Sequence, residues 1–270
     1  IINFSFLHPD DLSLSEKPIK IPNPISREQS VMRTSLIPGL LKVAVRNQNI
    51  KEMNPWLFEI GRIFLEDSSK KKVFEKTRFS ILVAGGPHEL KGLVERILAK
   101  FQIERGVINT SDHPWLKKNR SLEWLIDGVS LGFFGVLADS VKSKYGLDLN
   151  VSIGEFDFDR ICQSAKLDKK YAPIPKYPAV YRDMALIVDE GVSYQDCVEC
   201  IKTYGGSWLE DVNLFDLYRG SPLKTGKKSM GFSLAYRDAS KTLTEKDVDV
   251  PHEKILHACF QKLGAELRPN

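Results

Sequence analysis

Leu214-Phe215-Asp216-Leu217-Tyr218-Arg219-Gly220 and Gly226-Lys227-Lys228-Ser229-Met230-Gly231-Phe232-Ser233-Leu234-Ala235-Tyr236 are separated by the short stretch Ser221-Pro222-Leu223-Lys224-Thr225. Apolar and polar residues alternate along both runs, as they do in strands with one buried face. The alternation predicts strands over 209–220 and 229–236, joined by a Pro/Gly/Lys loop. It also assigns faces, because successive side chains in a strand point opposite ways. In the first strand Phe215 and Leu217 form the core set, with Asp216 and Tyr218 opposite. In the second, Met230, Phe232, Leu234 and Tyr236 are core, and Ser229, Gly231, Ser233, Ala235 and Arg237 lie opposite.

On the N-terminal side, Arg182 to Asp189 reads as a strand, with Met184, Leu186 and Val188 inward and Asp183, Ala185 and Ile187 outward. Tyr194 to Tyr204 reads as a helix stopped by Gly205-Gly206. On the C-terminal side, Pro251 to Leu263 reads as a helix with Gly264 just past its end, and Ala265 to Arg268 as a last short strand. The order βαββαβ is the ferredoxin-like plan, a four-stranded sheet with both helices on one side. Its other face is open. That face is small and polar here, with Tyr218 as an accessible ring and Asp216 as a carboxylate. Bases of single-stranded RNA stack on such rings for roughly 1–3 kcal/mol each. Beside it the loop 219–228 carries Arg219, Lys224, Lys227 and Lys228 and no acid, a pattern suited to phosphate. A solvated sheet face with a basic turn has the same pattern, and alternation does not separate the two.

Upstream, Lys166 to Pro178 holds three prolines and four lysines in thirteen residues and reads as an extended linker over 166–176. It separates a first domain, 1–165, from a second, 177–270. In the first domain Ser35 reads as a helix N-cap with Pro38 in the first turn. Ile37, Leu40, Leu41, Ala44 and Val45 follow at helical spacing. Trp56 to Leu65 and Phe79 to Ala84 read as strands, and His88 to Phe101 as a helix. Leu122 to Val136 reads as a hairpin turning at Asp127-Gly128. Val151 to Phe158 reads as a strand running into a short helix. The class is α+β, built on an antiparallel sheet.

Composition excludes whole classes. The 270 residues are 42% hydrophobic and 27% charged, which rules out collagen-like and disordered chains. No run reaches the roughly 18–20 apolar residues that span a bilayer. The start Ile1-Ile2-Asn3-Phe4, with no Met and no basic-then-apolar run, reads as that of a piece of a longer chain rather than of a secretory precursor. Residues 1–171 hold 26 Lys+Arg against 21 Asp+Glu, and residues 172–270 hold 13 against 14. Net charge therefore does not by itself call for nucleic acid. Four cysteines are too few for a disulfide scaffold and fit a reducing, cytoplasmic setting.

Chemistry-bearing motifs are few. Cys197-x-x-Cys200 lacks the second ligand pair that structural zinc needs and lies in an amphipathic helix. His252 and His257 are five apart, about 140° around a helix, so they cannot share a metal. No P-loop, G-x-G-x-x-G or G-x-S-x-G is present, and nothing assembles a nucleophile with a base.

Taken together, Tyr177-Pro178, Arg182-Asp183-Met184-Ala185, Leu214 to Gly220, Gly226 to Phe232, Tyr236-Arg237-Asp238 and Lys241-Thr242-Leu243-Thr244 resemble the ferredoxin-fold anticodon-binding (FDX-ACB) domain that ends bacterial phenylalanyl-tRNA synthetase β subunits. Asn23 to Ser26, Ser30 to Leu41 and Leu57 to Phe64 are similar to the synthetase-like domain of the same subunit. The resemblance implies a class II synthetase-like, non-catalytic domain followed by an anticodon-binding module. It implies an α subunit as partner in an α2β2 tetramer, tRNA-Phe as RNA, and no membrane. ATP and magnesium would serve the holoenzyme, with no cofactor, metal or catalytic residue in this segment. The class II Phe-Arg-x-Glu strand is missing, since Glu59-Ile60-Gly61-Arg62 does not match it. In the family, residues matching Ala185, Asp216, Tyr218 and Ser229 contact the anticodon. Arg219, Lys227 and Lys228 would hold its backbone. The helix 35–49 would supply the subunit interface through Ile37, Leu40, Leu41 and Ala44, with Val31 and Leu36 nearby. The rival is a free-standing RNA-binding or regulatory protein built from the same two domains.

Overall fold

Residues 1–11, 18–67, 72–103, 106–166, 168, 171 and 173–268 are described by a computed structural model. The chain forms two units, Ile1–Lys170 and Tyr171–Asn270. Their boundary falls within the proline- and lysine-rich stretch assigned to a linker, of which 167, 169, 170 and 172 lie outside the described residues.

The first unit contains, in chain order, β1 (Phe6–Leu7), β2 (Val31–Met32), α1 (Ile37–Asn49), β3 (Trp56–Asp67), β4 (Lys72–Ala84), α2 (Pro87–Lys100), β5 (Gly106–Thr110), β6 (Leu116–Ile126), β7 (Val129–Leu137), α3 (Asp139–Tyr145), β8 (Val151–Asp157) and α4 (Phe158–Ser164). Six strands make one antiparallel sheet in the order β3-β4-β8-β7-β6-β5. Helix α2 buries Leu90, Val94 and Leu98 against Phe79, Ile81, Val83 and Phe156. Helix α1 covers the other face at Leu82, Leu137 and Ile153. Strand β8 is therefore buried on both faces, which explains its lack of clean alternation. The β6–β7 hairpin turns through Asp127 at φ 50° and Gly128 at φ 75°, the geometry an Asp-Gly pair favours.

One set of expectations is corrected here. Val31, Leu36, Ile37, Leu40, Leu41 and Ala44, assigned to a subunit interface, are at most 2% exposed within this chain alone. Ile37, Leu40, Leu41 and Ala44 pack on the sheet, and Val31 packs on Leu7. The apolar face of α1 is consumed by its own unit, because the sheet is covered on both sides. These six side chains themselves offer almost no exposed area to a second chain.

The second unit contains β9 (Val180–Asp189), α5 (Tyr194–Tyr204), β10 (Leu209–Tyr218), β11 (Lys227–Tyr236), α6 (Glu245–Leu263) and β12 (Glu266–Leu267). Its antiparallel sheet runs β10-β11-β9-β12, the ferredoxin-like arrangement. Met184, Leu186, Val188, Phe232 and Leu234 meet Ile201 and Ile255 in the core, so both helices lie on one face. Ser193 with Asp196, and Thr244 with Asp247, form reciprocal capping boxes. The second box starts α6 at Glu245, six residues before the expected Pro251, which sits inside the helix. Cys197, Cys200 and Cys259 are buried side chains of α5 and α6.

Candidate nucleic-acid interface

Directly paired residues of antiparallel strands share a face. In the second unit Tyr218 pairs with Ser229, which pairs with Ile187. Asp216 pairs with Gly231, which pairs with Ala185. The register thus sets Ala185, Asp216, Tyr218 and Ser229 side by side on the face away from the helices.

Phe215 departs from the strict alternation. Leu214 pairs with Phe232 and Asp216 with Gly231, so one extra residue is inserted in β10 at Phe215. A bulge of this kind moves a side chain off its alternating position. Leu214 takes the core side instead, and Phe215, expected in the core, is 58% exposed. Its ring lies against Gly231, where an added Cβ would stand 3.0 Å from it and 3.1 Å from the Cβ of Asp216. A glycine here lets both residues rest on the sheet. The signal in the sequence is the adjacent pair Leu214-Phe215, which breaks a period of two, opposite a glycine on the neighbouring strand.

Two more residues of this face were missed. Tyr181 pairs with Ala235 and is exposed. Arg268 follows β12, and its backbone N–H donates to the Ala185 carbonyl at 3.0 Å. Its guanidinium lies over the Tyr218 ring, 5.4 Å from the centroid, at cation–π distance. The Tyr218 hydroxyl donates to the Ser221 carbonyl. The ring is thereby held at both its face and its tip. Register would have found Arg268: Glu266 pairs with Ile187, so the residue two further on shares that open face near Ala185.

Ser229 is 1% exposed, and its Oγ has no hydrogen-bond partner among the described residues. The basic residues are more committed than the loop's own composition suggests. Arg219 Nε is 2.7 Å from Glu190 Oε1. Lys227 Nζ is 3.1 Å from Asp189 Oδ1 and 3.6 Å from Glu266 Oε1, and its pKa is raised chiefly by the bond to Asp189. Lys228 falls on the core side of β11, is 8% exposed, and donates to the Glu190 carbonyl at 2.9 Å. The loop holds no acid, but the end of β9 supplies acids against it. Lys224 is exposed with no ion pair among the described residues.

In the first unit the described residues hold no group of three His, Cys, Asp or Glu side chains able to bind a metal.

The two units define a class: an α+β domain on a six-stranded antiparallel sheet followed by a ferredoxin-like module whose open face carries aromatic rings. Residues 1–158 match the phenylalanyl-tRNA synthetase β-chain CLM domain, and residues 175–268 match the ferredoxin-fold anticodon-binding domain. Among curated relatives, the phenylalanine–tRNA ligase β subunit of Clostridium tetani is 34% identical over 93% of this chain and 32% of its own length. That of Bacillus licheniformis is 35% identical over 91% and 32%. The chain spans about a third of the length of these relatives. A solved pyrrolysyl-tRNA synthetase from Desulfitobacterium hafniense aligns with a TM-score of 0.49 at 12% identity, over 60% of this chain and 61% of that one. The chain belongs to the phenylalanyl-tRNA synthetase β-chain family.

Proposed function

We propose that this chain is the C-terminal part of a phenylalanine–tRNA ligase β subunit. The second unit reads the anticodon region of tRNA-Phe, and the first supports a catalytic α subunit in an α2β2 tetramer. The observation that carries the RNA reading is the open face itself. Tyr181, Phe215 and Tyr218 offer rings for stacking. Asp216 accepts a hydrogen bond from a base amino or imino group while repelling phosphate. Ser229 offers a buried hydroxyl with no partner among the described residues, and Ala185 is small enough to let a base approach. Arg268 and Lys224 take the larger share of the phosphate contact, because Arg219, Lys227 and Lys228 are already partnered. Binding of an anticodon stem-loop by the intact chain tests this.

ATP and magnesium then belong to the α subunit and the complex is cytoplasmic. No described helix is long and apolar enough to cross a membrane. The chain alone is expected to be silent in phenylalanine-dependent ATP–pyrophosphate exchange, and exchange above background would overturn the non-catalytic assignment.

The α-subunit contact moves from α1 to β3. Trp56, Phe58 and Ile60 lie on one side of this edge strand and are 58%, 56% and 46% exposed. An exposed apolar edge strand invites pairing unless it is covered. On co-expression with an α subunit, Phe58→Glu is expected to reduce tetramer on size exclusion while circular dichroism stays unchanged. Full assembly of a folded variant would place the contact elsewhere.

A further inference from the structure

The first unit has a cavity of about 280 Å³ beside the start of α1, on the α1 side of the sheet. Two carboxylates line it, and both are occupied. Asp157 accepts the backbone N–H of Arg160 at 3.1 Å and pairs with Arg78 Nη1 at 3.3 Å. Glu155 accepts from Ser35 Oγ at 3.0 Å and from the Leu36 backbone N–H at 2.7 Å. Three cations face them: Lys76, Arg78 and Arg160. Lys76 and Arg160 are half-buried with no carboxylate in ion-pair distance among the described residues. Arg78 Nε is sealed from solvent with no acceptor among the described residues. Burying a charged donor unmatched is unfavourable. Convergent cationic donors with bonds to spare are the usual makings of an oxyanion site, guanidinium matching the flat edge of a carboxylate or phosphoryl group.

The wall beside these cations is aromatic. His113 stacks on Phe133 with centroids 3.4 Å apart and planes 17° from parallel, and Trp115 is buried nearby. Burial pushes the His113 pKa down to about 4, so the imidazole is neutral near pH 7. It adds no charge and leaves a flat, weakly polar surface. The volume is at the small end for ligand pockets.

We propose that this cavity binds a small molecule bearing a phosphoryl or carboxylate oxyanion on a compact planar body. Lys76, Arg78 and Arg160 hold the anion, and the His113–Phe133 stack takes the planar part. No bond is made or broken. The site stands apart from RNA reading and does not depend on it.

Calorimetric titration of the intact chain tests this with inorganic phosphate, phenyl phosphate, benzoate and neutral benzamide. Saturable binding of phenyl phosphate or benzoate is expected, tighter than benzamide, and the tighter of the two identifies the anion's source. Arg160→Gln and Lys76→Met are each expected to weaken it about tenfold, the effect of losing roughly 1.4 kcal/mol. Both side chains are partly solvent-facing, so circular dichroism should not change. The proposal is overturned by no saturable binding of any anion up to about 10 mM. Benzamide binding as tightly, or both variants binding like the unaltered chain, would overturn it as well.

Discussion

Arg33→Met is expected to cost the first unit about 3–5 kcal/mol, the usual penalty for leaving one half of a buried ion pair behind. Arg33 Nη1 is 2.8 Å from Glu59 Oε1, and the two side chains are 7% and 2% exposed. Arg33 Nε also donates to the Arg62 carbonyl at 2.8 Å, and Nη1 to the Asn3 carbonyl at 3.3 Å. Asn3 Nδ2 donates to Glu59 Oε2 at 2.7 Å. The guanidinium packs on Gly61, where a Cβ would come within 2.5 Å of Nη2. One side chain thus ties the N-terminal segment, the β2 segment and β3 together. Its loss leaves Glu59 charged, buried and short of a cation. Native domains are stable by only about 5–15 kcal/mol, so the variant should unfold at much lower urea. Adding Glu59→Met should recover part of the loss, because no lone charge then remains. A single variant within about 1 kcal/mol of the parent would show that the ion pair does not hold this corner.

Tyr218→Ala is expected to weaken binding of an anticodon stem-loop by about 1–3 kcal/mol, or about five- to 150-fold. Phe215→Ala should act in the same range with no loss of stability, because the ring is largely exposed. The two rings are neighbours on one face, so their effects need not add. Tyr218 also donates to Ser221 and lies under Arg268, which gives the ring a structural role to be separated. Tyr218→Phe keeps the ring and removes the hydroxyl. It should retain most of the RNA affinity if stacking is the cause. Unchanged RNA binding in Tyr218→Ala, with a lowered melting temperature, would make the ring a pin for the loop and nothing more.

Much of this was legible before any coordinates. The second unit's order came from alternation, and the end of α5 from Gly205-Gly206, whereas the Thr244 cap that starts α6 was not read. Strands buried on one face announce themselves at a period of two. The misses have physical causes. Phe215 was put in the core because alternation assumes an unbroken register, and a bulge shifts every assignment on one side of it. Lys227 and Lys228 looked free because their carboxylate and carbonyl partners, Asp189, Glu266 and Glu190, come from β9, β12 and the residue just after β9, far away in sequence. The α1 face was assigned to a partner chain because helical spacing shows that a face is apolar but not which surface covers it, and here the unit's own sheet does. The outer half of β4, Lys72 to Thr77, was not seen as strand at all. It pairs with β3 alone, while β8 joins only from Arg78 onward, and its residues are largely polar and exposed.

The central claim is that the open face of the second unit reads bases and does not merely attract phosphate. Its most direct test is fluorescence anisotropy of the intact chain at one fixed salt concentration. The two probes are the anticodon stem-loop of tRNA-Phe and the same stem-loop with its anticodon bases replaced. Phosphate contacts are blind to that change, whereas stacking and base-edge contacts are not. Tighter binding of the unaltered stem-loop is expected, with the difference shrinking in Asp216→Ala. Equal affinity for both stem-loops, in the unaltered chain and in Asp216→Ala alike, would contradict the account.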